Sequence, residues 1–107
     1  MEAKAVAKSV RISPRKIREV AVVAKKMSVQ EALNKLAYST KNGAREILKT
    51  LESAIANSHL AADKLKIKNI LVDESIKMKR RDKSHGARYG GGVIQKRTSN
   101  ITVILEG

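Results

Sequence analysis

Lysine and arginine carry most of the reactive chemistry in this sequence, and they gather in two clusters. Residues 1–18 hold six cations against one acid, and residues 77–97 hold eight against one. Residues 19–76 are nearly balanced, with nine cations and seven acids. Ammonium and guanidinium groups bind phosphate through charge and N–H donors. A net charge of +13 on 107 residues therefore predicts a polyanionic partner, with nucleic acid as the first candidate.

The predicted nucleic-acid contacts lie in both clusters and around a run of glycines. Arg15 and Lys16 fall in the first turns of a predicted helix, where positive charge opposes the helix dipole, so their placement favours a phosphate-binding role. Four of the six glycines lie within residues 83–92, where glycine lets the backbone approach phosphate closely. A plain flexible loop is the alternative for Gly90 to Gly92, and Tyr89 could stack on a base or pack on its own strands. The predicted contact set is Arg11, Arg15, Lys16, Arg18, Lys77, Lys79, Arg80, Arg81, Lys83, His85, Arg88, Tyr89, Lys96 and Arg97.

The spacing of the other polar residues does not predict catalysis or metal binding. His59 and His85 are the only side chains that titrate near neutrality, and they do not stand at a metal-ligand spacing. Asp73 and Glu74 are adjacent, so on a strand they point to opposite faces and do not form a general acid–base pair. There is no Cys, which excludes disulfides and thiol chemistry. We predict a protein that is not an enzyme and that uses no cofactor, metal or small-molecule substrate.

Three amphipathic helices are predicted in the middle of the chain. Ser13-Pro14 is a typical helix start, and apolar residues recur at helical spacing over residues 14–26. Ser28 and Glu31 match a capping box for a second helix at about 29–38. The third helix, over about 41–61 with Thr40 as its N-cap, has the most regular apolar periodicity. Tyr38, at the end of the second helix, is expected to pack in the core or at its rim.

Extended segments flank these helices. Residues 2–10 predict a short strand, and residues 66–79 and 93–105 predict two longer ones that a glycine-rich turn joins. In the last of these, Ile101, Val103 and Leu105 alternate with Thr102 and Ile104, as in a strand with one mainly buried face. A long β-hairpin is therefore predicted at about 68–105, with its tip at about 83–92. Arms of about 12 residues reach about 40 Å, while a compact 100-residue domain has a radius of gyration near 13 Å, so the outer half of the hairpin should project. The predicted tip residues are Lys83, Ser84, His85, Gly86, Ala87, Arg88, Tyr89, Gly90, Gly91 and Gly92.

These elements predict an α+β fold in one domain, residues 1–107. Three helices pack on a small antiparallel sheet, and a long β-hairpin protrudes from it. The core must be aliphatic, because the chain has no Trp or Phe and only two Tyr. The longest apolar run is residues 20–24, which is too short to span a membrane.

Two other kinds of protein also carry a high positive charge. A histone-like DNA-bending protein also combines helices with basic β-arms, but such arms usually carry an apolar wedge, often Pro, at the tip. The only proline here is Pro14, far from the tip. A membrane-surface protein needs a basic amphipathic helix with bulky apolar anchors. The longest predicted helix, 41–61, is not strongly basic.

Several short segments, in their order and spacing, resemble one family. They are Ile12-Ser13-Pro14-Arg15-Lys16, Ser53-Ala54-Ile55-Ala56-Asn57, Val72-Asp73-Glu74, Met78-Lys79-Arg80 and Lys96-Arg97-Thr98-Ser99-Asn100-Ile101-Thr102-Val103. Together they resemble the large-subunit ribosomal protein family L-twenty-two over essentially the whole chain. The family fold is the α+β arrangement with a long hairpin.

The resemblance implies a specific function. The chain would be a structural constituent of the large ribosomal subunit that binds large-subunit ribosomal RNA and aids subunit assembly. Its hairpin would extend to the wall of the nascent-peptide exit tunnel, with a tip region at about 78–93 in this sequence. The implied partners are that RNA and neighbouring large-subunit ribosomal proteins, with no membrane and no homo-oligomer. The implied location is cytoplasmic, in the ribosome.

Overall fold

The structure is a computed structural model that describes residues 2–81 and 92–107. The predicted tip residues 83–91 therefore lie outside the described residues, and only Gly92 of the tip lies within them. In chain order the elements are β1 (Glu2–Val10), α1 (Pro14–Lys25), α2 (Val29–Ala37), α3 (Ala44–Ser58), a 3₁₀ turn (Ala62–Lys64), β2 (Lys66–Glu74), β3 (Met78–Arg81), β4 (Val93–Lys96) and β5 (Ser99–Glu106).

The three longer strands form an antiparallel sheet in the order β1-β5-β2, with β5 at its centre. Ile101, Val103 and Leu105 of β5 are fully buried, while the residues between them are only partly buried. The helices cover the face that these side chains occupy, because α3 packs on β1 and β5 and α1 packs on β2. The predicted α+β class and the alternation in β5 are thus confirmed.

The core is aliphatic, as the composition requires. Ile17 of α1, Ile47 and Leu51 of α3, and Ile70 of β2 are all fully or almost fully buried in one cluster with the inner side chains of β5. Each such side chain contributes about 1.5–3 kcal/mol through removal of apolar surface from water. The apolar periodicity of the helices therefore identified the faces that hold the fold together.

The third helix is shorter than predicted at both ends. It runs from Ala44 to Ser58, and its N-cap is Gly43 in the left-handed region at φ 92°. Thr40 was expected to cap it, and this was wrong. A Cβ added at Gly43 would lie 3.0 Å from Cγ1 of Ile17, so the helix begins where the chain passes close to α1. The capping box of α2 is confirmed on one side, because the Ser28 hydroxyl accepts the backbone N–H of Glu31 at 3.3 Å.

The prediction for Tyr38 was also wrong. Its side chain is 89% exposed instead of packing in the core. Helix α2 ends at Ala37, and Tyr38 follows as its C-cap with φ −109°. The residue therefore lies outside the helical periodicity of α2, whose buried side chains are Val29, Ala32 and Leu36.

The predicted long strands are each divided in two. β3 and β4 form a separate two-stranded antiparallel ladder with Met78 opposite Lys96 and Arg81 opposite Val93. We call β3 and β4 the basic ribbon. The described side chains of the basic ribbon are all exposed. The molecule extends 59 Å along its longest axis and 24 Å and 17 Å along the others, with a radius of gyration of 16.9 Å against about 13 Å for a compact domain of this size.

Substituting Gly43→Ala should lower the free energy of unfolding by about 1–3 kcal/mol. The alanine backbone would have to adopt the left-handed conformation, and its Cβ would meet Ile17. Gly92→Ala is the matched control. Gly92 also has a positive φ, 77°, but nothing lies within 4 Å of an added Cβ, and the residue adjoins the exposed ribbon. Urea denaturation followed by circular dichroism measures both variants. Equal losses would show that the approach of Gly43 to Ile17 costs nothing.

Candidate nucleic-acid interface

The segment between β1 and α1 carries Arg11, and β5 fixes its backbone. The β1–β5 pairing shifts register between Ala7 and Val10, and Ser9 lies there at φ 56°. The Ser9 N–H donates to Oδ1 of Asn100 at 3.0 Å, and the fully buried Ser99 hydroxyl donates to the carbonyl of Ile12. After the bulge, the chain therefore leaves the sheet in one defined direction, and this direction determines the position of Arg11.

The base of the basic ribbon is held by a second set of hydrogen bonds. The Ser75 N–H donates to the carbonyl of Thr98 at 3.0 Å. The Thr98 hydroxyl, which is buried, donates to the carbonyl of Ile76. These bonds connect the two strand breaks at 75–77 and 97–98. They therefore determine where Lys96 and Arg97 leave the sheet.

The two supports bring cations from distant parts of the chain around two adjoining cavities. The first, of about 420 Å³, is lined by four cations and by Ile12, Ser13, Asn42 and Gln95. The second, of about 490 Å³, shares Arg11, Gln95 and Lys96 with the first and continues along the ribbon. We call the cations of the two cavities the basic cleft; they are Arg11, Lys16, Lys79, Arg80, Lys96 and Arg97.

The positive charge of the basic cleft is not neutralised within the described part of the chain. No carboxylate lines either cavity. The salt bridges among the described residues join Glu2 to Lys68 and Glu74 to Lys77, the latter at 3.7 Å. The hydrogen bond from Lys68, together with its charge, lowers the pKa of the Glu2 carboxyl, and the same contact raises the pKa of Lys68. Both of these salt bridges use cations outside the cleft, so the cations of the cleft remain available to an external anion.

The N-terminus of α1 adds backbone donors beside these side chains. Its first turn contains no acidic residue, and the N-cap Ser13 makes no side-chain capping bond. The first backbone N–H groups of a helix have no partner inside the helix and carry partial positive charge. Ser13 and Lys16 line the first cavity, so this helix end and the basic side chains act on the same space.

The predicted contact residues divide into four groups. Arg11, Lys16, Lys79, Arg80, Lys96 and Arg97 meet in the basic cleft. Arg15, Lys77 and Arg18 lie elsewhere on the described surface. Arg81 ends β3, and Lys83, His85, Arg88 and Tyr89 lie outside the described residues.

Arg18 and Lys77 make contacts within the protein. Nε and Nη2 of Arg18 donate to the carbonyl of Val72 at 3.2 Å and 3.0 Å, which fastens α1 to the edge strand β2. Lys77 pairs with Glu74. Their binding to nucleic acid stays a prediction, as it does for the exposed Arg15.

Three polar residues of the first cavity were not among the predicted contacts. Ser13 was interpreted only as a helix cap, and Asn42 and Gln95 were not singled out. Asn42 lies in the turn before α3, and Gln95 lies in β4. No local pattern in the sequence relates these two positions, because only the tertiary fold brings the turn beside the ribbon.

Comparison with known proteins decides the family. A family model described as ribosomal protein L22p/L17e matches residues 5–106. The chain belongs to this family. It is 47% identical over 109 residues to the large ribosomal subunit protein uL22 of Thermus thermophilus, a match that covers 98% of this chain and 95% of the relative. The protein of the same name from Akkermansia muciniphila is 45% identical, with 98% and 96% covered, and that from Methylacidiphilum infernorum is 44% identical, with 99% and 95% covered.

The family membership confirms the resemblance seen in the sequence. The chain is a ribosomal protein, a structural constituent of the large ribosomal subunit and not an enzyme. Its place is therefore in the ribosome. Among the described residues, no helix combines the length and apolar character needed to cross a membrane.

Removing the buried hydroxyl in Ser99→Ala should lower the free energy of unfolding by about 1–3 kcal/mol, because the carbonyl of Ile12 then loses its partner. The variant should also weaken RNA binding, since the segment that carries Arg11 is released. Ser53→Ala, an exposed serine on α3, is the matched control. Urea denaturation and filter binding to ribosomal RNA measure the two effects. If the variant is destabilised but binds RNA as the parent does, the bond from Ser99 does not position Arg11 for RNA binding.

Proposed function

We propose that the chain binds large-subunit ribosomal RNA through the basic cleft and that this binding aids folding of the RNA during subunit assembly. The observation that carries the proposal is the meeting of six cations around two cavities that carboxylates do not line. They come from the β1–α1 segment, the first turn of α1, the basic ribbon and the residue that follows β4. Such a site favours the close phosphates of a folded RNA over a single isolated anion.

The geometry also supports a way of recognising RNA by shape. Arg11 and Lys16 stand on the body, while Lys79, Arg80 and Lys96 stand on the ribbon. An RNA that contacts both groups must place phosphates on two sides of a fixed junction. Met78 and Ile94, which line the second cavity, offer apolar surface to a ribose or a base face. Specificity then follows from the match between RNA shape and junction geometry, with few base-edge contacts.

We propose further that residues 68–105 form a hairpin whose tip, at 83–92, reaches the wall of the nascent-peptide exit tunnel. The antiparallel pairing of β3 with β4, the exposure of the ribbon and the 59 Å length of the molecule support this. The ribbon buries little apolar surface on the body, so phosphate contacts along it would offset the entropy of ordering it.

Two further elements of the proposal concern organisation and partners. Residues 1–107 form one domain around the aliphatic core, and neighbouring large-subunit ribosomal proteins are its protein partners. A homo-oligomer is not expected, because each copy carries a net charge of +13 and two copies repel each other.

Neutralising one cation of the cleft, in Lys96→Gln or Arg11→Gln, should weaken binding of a large-subunit ribosomal RNA fragment by about three- to tenfold. The slope of log Kd against log salt should fall by about 0.7–0.9 per lost phosphate contact. Lys49→Gln is the control, because Lys49 is an exposed lysine on α3 that lines neither cavity. Fluorescence anisotropy over a salt series measures the slope. An equal effect of all three substitutions would mean that net charge alone, without the cleft, drives binding.

Removal of residues 80–92 should leave the body folded, because the core lies in the helices and in β1, β2 and β5. The tagged full chain, expressed in bacterial cells, should migrate with large subunits and whole ribosomes on a sucrose gradient after a high-salt wash. The deletion variant should be depleted from these fractions. Unfolding of the body on deletion contradicts the proposal, and so does migration of the full chain at the top of the gradient or with chromosomal DNA.

A further inference from the structure

An apolar groove lies between α1 and α2, outside the basic cleft. It has a volume of about 690 Å³ and shares no lining residue with the two basic cavities. The groove exists because the two helices pack on other elements: α1 on β2 and α3, and α2 on α3 and the 3₁₀ turn. Its lining residues are Glu19, Val20, Val23, Ala24, Met27, Lys35, Leu36, Ser39 and Lys41.

The α1 wall of the groove presents an aliphatic stripe. Val20, Val23 and Ala24 follow the spacing i, i+3 and i+4, which places them on one face of α1, and Met27 continues this line just beyond the end of the helix. Val20 and Ala24 are buried in the core, whereas Val23 is 54% exposed and Met27 is partly exposed. The stripe therefore extends beyond the core and exposes apolar surface at Val23 and Met27.

The opposite side of the groove combines apolar surface with positive charge. Leu36 contributes a largely buried side chain, and Lys35 and Lys41 stand along the same side. Tyr38, 89% exposed, lies in the chain between the lining residues Leu36 and Ser39. Exposed tyrosines beside apolar surface are enriched at protein–protein interfaces. Among the lining residues there is one acid, Glu19, against the two lysines.

These features discriminate among possible occupants. RNA phosphates would meet Lys35 and Lys41, but RNA presents no aliphatic side chains that would cover Val23 and Met27. A second copy of this chain brings a net charge of +13 toward Lys35 and Lys41. A helical protein segment with apolar anchors and carboxylates satisfies both the aliphatic stripe and the lysines.

We infer that this groove is a docking site for an amphipathic helix of another protein, with bulky apolar anchors at helical spacing and acidic residues along its edges. The anchors pack on Val23 and Met27, and the carboxylates face Lys35 and Lys41. The site is independent of the RNA-binding cleft, so protein and RNA can be bound at the same time.

The test uses the full chain and three designed helical peptides with the same apolar face. Their flanking residues are Glu, Lys or Gln, and fluorescence anisotropy measures each Kd at moderate salt. The Glu-flanked peptide should bind at least tenfold more tightly than the Lys-flanked one. A fourth peptide keeps the Glu residues and replaces the anchors by Ser, which controls for attraction of any polyanion to the net charge. This fourth peptide should bind at least tenfold more weakly than the first.

Two neighbouring valines provide a matched pair of variants. Val23→Glu places a carboxylate in the groove and should weaken binding of the Glu-flanked peptide at least tenfold. Val22→Glu introduces the same charge on the same helix at a residue that is 52% exposed and does not line the groove. Its Kd should stay within about twofold of the parent. The double variant Lys35→Glu with Lys41→Glu should reverse the preference in favour of the Lys-flanked peptide.

Other outcomes overturn the inference in distinct ways. Absence of binding by every peptide at millimolar concentration rules out the docking site. Equal effects of Val22→Glu and Val23→Glu, or equal binding of peptides with and without the anchors, would mean that net charge alone explains peptide binding. Concentration-dependent self-association in sedimentation that Val23→Glu abolishes assigns the groove to a second copy. If Val23→Glu weakens RNA binding and Val22→Glu does not, the groove binds RNA. If substitutions in the basic cleft leave RNA binding unchanged, the proposed function fails, but the peptide results still test the groove.

Discussion

The hydroxyl groups of Thr98 and Ser99 determine the geometry on which the candidate interface depends. Both lie buried where the central strand β5 begins, and each bonds a backbone carbonyl outside the sheet. Thr98 connects the two strand breaks at the base of the ribbon, and Ser99 fixes the chain that leads into α1. A buried hydroxyl that loses its acceptor is costly, so these two residues hold the body, the ribbon and the loop in one arrangement.

That arrangement gathers like charges in one place. Six cations share the walls of two adjoining cavities, and among the described residues the acids form their ion pairs with Lys68 and Lys77. Repulsion among these cations destabilises the folded state, and burial of the aliphatic core offsets this cost. In the proposed complex with ribosomal RNA, phosphates would replace this mutual repulsion with attraction to each cation.

The two ends of α1 serve different surfaces. Lys16, near its N-terminus, lines the basic cleft, while Val23 and Met27, near and just beyond its C-terminus, line the apolar groove. Between them Ile17 packs in the core and Arg18 bonds β2. One short helix can serve three purposes because its side chains point in successive directions about every 100°. The structure therefore separates a charged surface from an apolar one on the same element.

The sequence by itself determined the elements with local causes. The spacing of Ile47 and Leu51 indicated the buried face of α3, the alternation of β5 indicated its inner side, and the family followed from the order of short segments. The start of α3 was mispredicted because the left-handed Gly43 lies against Ile17 of another helix. The exposure of Tyr38 was mispredicted because α2 ends at Ala37. Only the tertiary structure decided which cations meet. Arg11 and Lys96 lie at opposite ends of the chain and share two cavities, while Arg18, close to Lys16 in the sequence, turns to a strand carbonyl. The physical reason is that charge and periodicity are local properties of a sequence, whereas convergence is set by the bulge and the buried hydroxyls that join distant segments.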